Sequence, residues 1–184
     1  GFRANGGEGK LMGLAAYGEP RFDEQLRQIV QIGDDGSFRL DDRYFGFNRG
    51  RAMFSQALVD LLGPPREAEG DIEQRHHDLA ASVQNLTEEL LIGAARRLHH
   101  ITGLDQLCLA GGVFLNCLTN HKLLEHTPFE RVFVQPAAGD AGGAIGAAAY
   151  VQHTLQGCPR RPMKHAYLGP GYSPGRVRRA LINA

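Results

Sequence analysis

Two short apolar runs, each followed by a glycine turn and then by a helix-like segment, constrain this chain more than any other feature. Gln106 to Ala110 runs into Gly111-Gly112 and the helical stretch Asn116 to His126. Arg131 to Gln135 runs into Gly139-Asp140-Ala141-Gly142-Gly143 and a Gly/Ala-rich helix over roughly Ala141 to Gln156. Strand, glycine turn and helix, twice in succession, is the pattern of an α/β fold with parallel strands. Parallel strands put both turns at one edge of the sheet, where such folds bind ligands. A glycine there lets the backbone approach a nucleotide closely and offer it N–H groups. A helix cap with close packing accounts for either turn alone; the pair favours a ligand site. The carboxylate of Asp140 either caps the following helix or binds a metal.

The strongest periodic signal precedes these turns. Leu79, Val83, Leu86, Leu90, Ala94, Leu98 and Ile101 step by three and four, one apolar stripe of an amphipathic helix from about Ile72 to Thr102. Asp71 with Gln74 resembles a capping box, and Gly103 supplies the stop. Further upstream, Gly9 to Tyr17 predicts a short helix closed by Gly18, and Gln28 to Leu40 a hairpin turning at Asp34-Asp35-Gly36. Residues 41–70 read as irregular, with a helix around Arg51 to Leu62 ended by Gly63-Pro64-Pro65. Gly157 opens a Pro-rich, basic linker, and Ser173 with Pro174 starts a new helix. The expected division is a domain over 1–156, then a linker and the start of a second domain over 157–184.

Other readings fall away. The 24 glycines in 184 residues follow no G-X-Y period, so they are placed singly rather than as a collagen repeat. Lys and Arg (20) balance Asp and Glu (20), which predicts neither a nucleic acid nor an anionic membrane as partner. Arg176, Arg178 and Arg179 read as a solvated helix face. Charge or His interrupts every apolar stretch well before the roughly 20 residues a spanning helix needs. Three cysteines without CxxC spacing suit reduced thiols in the cytoplasm, with Cys117 a small buried side chain. GEGK lacks the P-loop spacing, and no G-x-G-x-x-G opens a helix after a strand. No two histidines stand four apart, so no helical two-His metal face is expected.

Three segments taken in order carry a resemblance. Glu8-Gly9-Lys10-Leu11-Met12-Gly13-Leu14-Ala15-Ala16-Tyr17-Gly18, then Leu109 to Asn116 (LAGGVFLN), then Gln135 to Ala148 (QPAAGDAGGAIGAA), are similar to the nodulation-type O-carbamoyltransferase family. Asp78 to Gln84 (DLAASVQ) resembles that family's long helix, and Tyr167-Leu168-Gly169-Pro170 the entry to its second domain. The resemblance implies an α/β fold, the C-terminal half of an actin-like ATPase domain of the ribonuclease H-like class with a mixed sheet. It implies that carbamoyl phosphate and ATP give carbamoyl adenylate in a separate domain, and that the actin-like domain moves the carbamoyl group to an acceptor hydroxyl of a small molecule or sugar.

Carried onto this chain, the resemblance implies that Gly111, Gly112 and Asn116 border the adenosine and phosphates, with Gly139 at the second turn and Glu8 and Lys10 toward the ribose or phosphate. Asp140 would be a ligand of a divalent metal ion, Fe, Mg or Mn. No residue here corresponds to the family's H-x-x-x-H helix or to its acid/base residues, and the adenylate-forming domain lies C-terminal to the matched part. The N-terminal half and that domain are therefore expected partners, and the isolated chain is expected not to transfer carbamoyl groups. Two other readings stand beside this one: a non-catalytic nucleotide-binding module of actin fold, and a tRNA threonylcarbamoyl transferase-like or sugar kinase-like protein. The GKLMGLAAYG segment argues against the latter pair.

Overall fold

The computed structural model describes residues 1–3, 6–47, 50 and 52–183, in two units, 1–140 and 141–184. Helix α1 (Glu8–Ala15) follows Gly7 and stops two residues before the expected end, where Tyr17 and Gly18 donate to Leu14 and Ala15 in tight turns. Helix α2 (Asp23–Ile29) was not expected. Its acidic first turn favours a helix start, and Leu26 and Ile29, three apart, both enter the core. It feeds directly into β1 (Val30–Ile32), which pairs antiparallel with β2 (Phe38–Leu40), Val30 opposite Leu40, around the predicted Asp34-Asp35-Gly36 turn. The hairpin therefore begins two residues later than Gln28, because Gln28 and Ile29 finish the helix.

Beyond the hairpin, a 3-10 turn at Asp42–Tyr44 buries Tyr44, and α3 (Gln56–Leu62) follows Ser55. The expected helix start at Arg51 lies outside the described residues; residues 52–55 are not helical.

Helix α4 (Gln74–Thr102) has 29 residues, about 43 Å at 1.5 Å per residue. It starts two residues after the expected Ile72, which stays exposed. Its cap sits at Glu73 instead of Asp71: the Glu73 N–H donates to His76 Nδ1 at 2.9 Å, so an imidazole nitrogen takes the part that a Glu or Gln side chain plays in a capping box. Gly103, at φ 62°, ends it as expected. Only the first half of the predicted stripe packs as a stripe. Leu79, Val83, Leu86 and Leu90 meet the core built by Leu26, Ile29, Val30 and Tyr44. Ala94, Leu98 and Ile101 are exposed, and Leu91, Ile92 and Ala95 pack instead, against a second core. Consecutive helical residues point about 100° apart, so the buried face turns when the helix changes partner.

That second core belongs to β3 (Gln106–Leu109), α5 (Cys117–His126) and β4 (Arg131–Val134). Leu107, Leu109, Leu123, Phe129 and Ala95 form its buried centre. The two strands are parallel, Leu107 opposite Val132 and Cys108 opposite Phe133, as the sequence pattern predicts. They are not fully buried runs: Leu107 and Leu109 are covered, whereas Cys108 and Phe133 share an exposed face. Among the described residues there are two separate two-stranded sheets, one antiparallel and one parallel, where a single mixed sheet was expected.

In the second unit, α6 (Gly142–Tyr150) continues into a π-helical turn at Val151–Leu155, close to the predicted span. Helix α7 (Pro174–Ile182) starts as predicted, Ser173 Oγ accepting from the Arg176 N–H at 3.3 Å with Pro174 in the first turn. Arg176, Arg178 and Arg179 are exposed, in keeping with a solvated face. Among the described residues, no helix is long and apolar enough to cross a membrane.

Candidate functional site

The parallel register brings the ends of β3 and β4 to one edge, and two backbone bonds sew the following loops together. Gln135 N–H donates to Leu109 O at 3.1 Å and Gly111 N–H to Ala138 O at 2.7 Å. Gly111 sits at φ 120° and ψ 153°, a conformation essentially closed to residues with a Cβ. Past it the chain folds into a 3-10 turn, Gly112–Leu115, held by Phe114 N–H on Gly111 O and by Asn120 Nδ2 on Phe114 O at 2.7 Å. Asn116 then caps α5, its Oδ1 accepting from the Thr119 N–H at 3.2 Å.

The opposite wall is made by α1, which is fastened to α4. Ser82, fully buried, accepts from the Phe22 N–H at 2.9 Å and donates to Asp78 O at 2.8 Å. Asp78 Oδ1 accepts from the Glu19 N–H at 3.0 Å and from Gln74 Nε2 at 2.9 Å. The Glu19 N–H first, then the Gln74 amide and the Arg21 guanidinium, hold the Asp78 carboxyl below the usual carboxylate range. Gly18 is required here by space: a Cβ would stand 2.1 Å from His77 O. These contacts anchor the link that follows α1, and so set α1 against α4.

Between these walls lies a cleft of about 770 Å³, within the usual size of small-molecule sites. Glu8, Gly112, Asn116, Gly139 and Asp140 all line it, so five of the seven residues singled out in the sequence come together. The other two do not line it. Lys10 Nζ lies 5.8 Å above the Phe2 ring, and Gly111 shapes the turn. A smaller apolar cavity of about 220 Å³, lined by Leu14, Leu58, Leu62 and Leu79 among others, contains none of the seven.

Sequence reasoning missed the contribution of α4. Gln84 and Thr87 line the cleft, and Gln84 Oε1 accepts from Asn116 Nδ2 at 2.7 Å. Gln84 Nε2 donates to Glu88 Oε1 at 2.7 Å, and Lys122 Nζ pairs with Glu88 Oε2 at 2.5 Å. The available signal was the spacing of Gln84 and Glu88, four apart on one face of the helix.

Two carboxylates line the cleft, those of Glu8 and Asp140. Asp140 is exposed, and the N-cap position of α6 is Ala141, without a side-chain cap, so its carboxylate does not serve that helix as a cap. Its hard oxygens suit a divalent cation. Among the described residues, however, no group of three His, Cys, Asp or Glu converges. Cys117, expected to be buried, is exposed, because as the first residue of α5 it precedes the turn that packs.

Parallel strands, their glycine loops and the long helix form an α/β domain with one ligand-sized cleft as its candidate site. The family model described as the carbamoyltransferase N-terminus matches residues 1–149, which include both loops and the whole cleft, and the chain belongs to that family. Over 180 residues it is 44% identical to an uncharacterised protein of Synechocystis sp., covering 94% of this chain and 29% of that protein. It is 38% identical over 180 residues to nodulation protein NolO of Bradyrhizobium diazoefficiens, covering 96% of this chain and 31% of that protein. A tRNA N6-adenosine threonylcarbamoyltransferase of Polaromonas sp. is 30% identical over 114 residues, 62% of this chain and 32% of that protein. The chain spans less than a third of the length of each of these relatives.

Proposed function

We propose that the chain supplies part of the nucleotide-binding, actin-like domain of an ATP-dependent O-carbamoyltransferase that works in the cytoplasm. The observation that carries this reading is the gathering of Glu8, Gly112, Asn116, Gly139 and Asp140 around one cleft inside the stretch that matches the carbamoyltransferase family. The reaction is the transfer of a carbamoyl group from carbamoyl adenylate, made from carbamoyl phosphate and ATP, to a hydroxyl of a small molecule or sugar. The hydroxyl oxygen bonds to the carbamoyl carbon, the bond from that carbon to the AMP phosphate oxygen breaks, and the hydroxyl loses its proton.

This chain's share is binding and orientation. Gly112 and Gly139 leave room for a phosphate chain to lie against backbone, and Asn116 gives it a fixed amide. A divalent ion accompanying the nucleotide would be held in part by Asp140, which lines the cleft and whose hard oxygens suit such an ion. Such an ion supplies Lewis-acid polarisation when bound. Its remaining ligands, the proton acceptor and the adenylate-forming domain come from other parts of the protein.

The test is calorimetric titration with ATP and magnesium. Saturable binding that weakens about tenfold in Gly112→Val, at unchanged melting temperature, is the expected result. A Cβ at Gly112 meets no protein atom within 4 Å, so that valine blocks ligand approach without crowding the fold. Turnover of carbamoyl phosphate, ATP and a hydroxyl acceptor by the isolated chain would contradict the division of labour.

A further inference from the structure

The polar contacts between α4 and α5 form a chain in which each member's orientation is forced by the next. A lysine ammonium only donates hydrogen bonds and a carboxylate only accepts them. Lys122 Nζ occupies Glu88 Oε2 at 2.5 Å, and Glu88 Oε1 receives the Gln84 amide at 2.7 Å. The Gln84 atom facing Glu88 must therefore be its nitrogen, which turns Oε1 toward Asn116. Asn116 answers with Nδ2 at 2.7 Å.

The same assignment follows from the other end. The Thr119 backbone N–H is a donor that cannot flip, and it requires the oxygen of Asn116 at 3.2 Å. That oxygen, with Thr119 Oγ1, also receives the second hydrogen of Gln84 Nε2, at 3.3 and 3.2 Å. Both Asn116 acceptor sites are then used. Its remaining capacity is one N–H on Nδ2, which has no partner among the described residues.

We infer that Glu88 is a positioning residue for the nucleotide site. It does not line the cleft and is buried, its side chain 7% exposed. Held by Lys122, it sets the amide of Gln84 and through it that of Asn116. Asn116 consequently meets the ligand as a donor, and the nucleotide atom beside it is an acceptor oxygen. A donor such as an exocyclic amine is rejected at that point. This inference rests on the nucleotide reading of the cleft.

The experiment is a double-mutant cycle between Glu88→Gln and Asn116→Ala in the full chain, read as ATP-magnesium affinity by calorimetry with thermal unfolding alongside. An amide at position 88 has one oxygen for two donors, so either Lys122 or the Gln84 amide loses its acceptor and the orientation is no longer imposed. Glu88→Gln is expected to weaken ATP binding on the order of tenfold, the size of one well-placed hydrogen bond. In the Asn116→Ala background it is expected to have no further effect. Losses that add, or a Glu88→Gln affinity equal to wild type, overturn the proposal.

Should Glu88→Gln unfold, Gln84→Leu removes the middle member of the chain and is held to the same two expectations. The side-chain NH2 resonances of Asn116 in nitrogen-15 spectra give a readout that needs no ligand. They are expected to shift and exchange faster in either variant. If wild type fails to bind ATP, the nucleotide reading falls; unchanged Asn116 resonances are what overturn the relay itself.

Discussion

After β3 the backbone passes through Gly111 at φ 120° and ψ 153°, closes a 3-10 turn and enters α5 under the Asn116 cap. After β4 it reaches Gly139 without a left-handed residue and carries an exposed Asp140 up to α6, which begins without a side-chain cap. Both loops are glycine turns behind parallel strands, and both line the cleft. In the first, glycine answers to backbone conformation and the polar side chain is bound into the protein on all but one hydrogen. In the second, the glycine lines the cleft without a positive φ, and the polar side chain is not committed to a cap. The first turn is thus built as a rigid wall and the second as a place to present a charge.

The largest expected effect separates the two at Asp140. Asp140→Ala in the whole enzyme removes the proposed metal ligand and no cap, so carbamoyl transfer is expected to fall at least about 100-fold, the upper range for loss of a group that merely supports a ligand. Metal content is expected to drop with it while the melting temperature holds. Full activity with unchanged metal content would mean that the second turn, like the first, is architecture.

Next in size is Gly111→Ala. The φ and ψ of Gly111 lie in a region that only glycine occupies readily, with a strain of about 1–3 kcal/mol for other residues. The Gly111 N–H bond to Ala138 O resists relaxation by tethering the turn to the neighbouring loop. Urea unfolding is expected to give a loss of stability in that range. A loss below about 0.5 kcal/mol would show that the first turn deforms easily and that the contrast with the second is false.

How far these features were legible in the sequence depends on how local their causes are. The positions of β3 and β4, the Ser173 cap and the stop at Gly103 follow from neighbours within a few residues, and they stand close to where the sequence puts them. Helix α2 escaped because seven residues give barely two turns of period before β1 begins. The second half of the α4 stripe was misread because its buried face is set by a partner that only the folded chain supplies, Leu107, Leu109 and Leu123. In the site, the glycines and Asp140 announced themselves through local motifs. Gln84 and Glu88 did not, since their partners Asn116 and Lys122 lie 32 and 34 residues away. The burial of Cys117 was a default for its residue type, and its place at the outer start of α5 overrides that default.

The smallest expected effect is Gly139→Ala. Gly139 has no positive φ, and an added Cβ would lie 3.7 Å from Leu115 Cδ1, an ordinary van der Waals contact. The native backbone therefore accepts alanine without strain. Alanine also restricts the unfolded chain, an effect worth about 0.4–1 kcal/mol in favour of the folded state where the native conformation tolerates it. Removal of a glycine from the second turn is then expected to leave stability unchanged or slightly raised, opposite in sign to Gly111→Ala. Because Gly139 lines the cleft, its methyl group is expected to lower ATP affinity, by less than the bulkier Gly112→Val. Stability falling as far as in Gly111→Ala would place the same backbone demand on both turns. Raised stability with weakened ATP binding would instead mean that Gly139 is kept for the ligand at some cost to the fold.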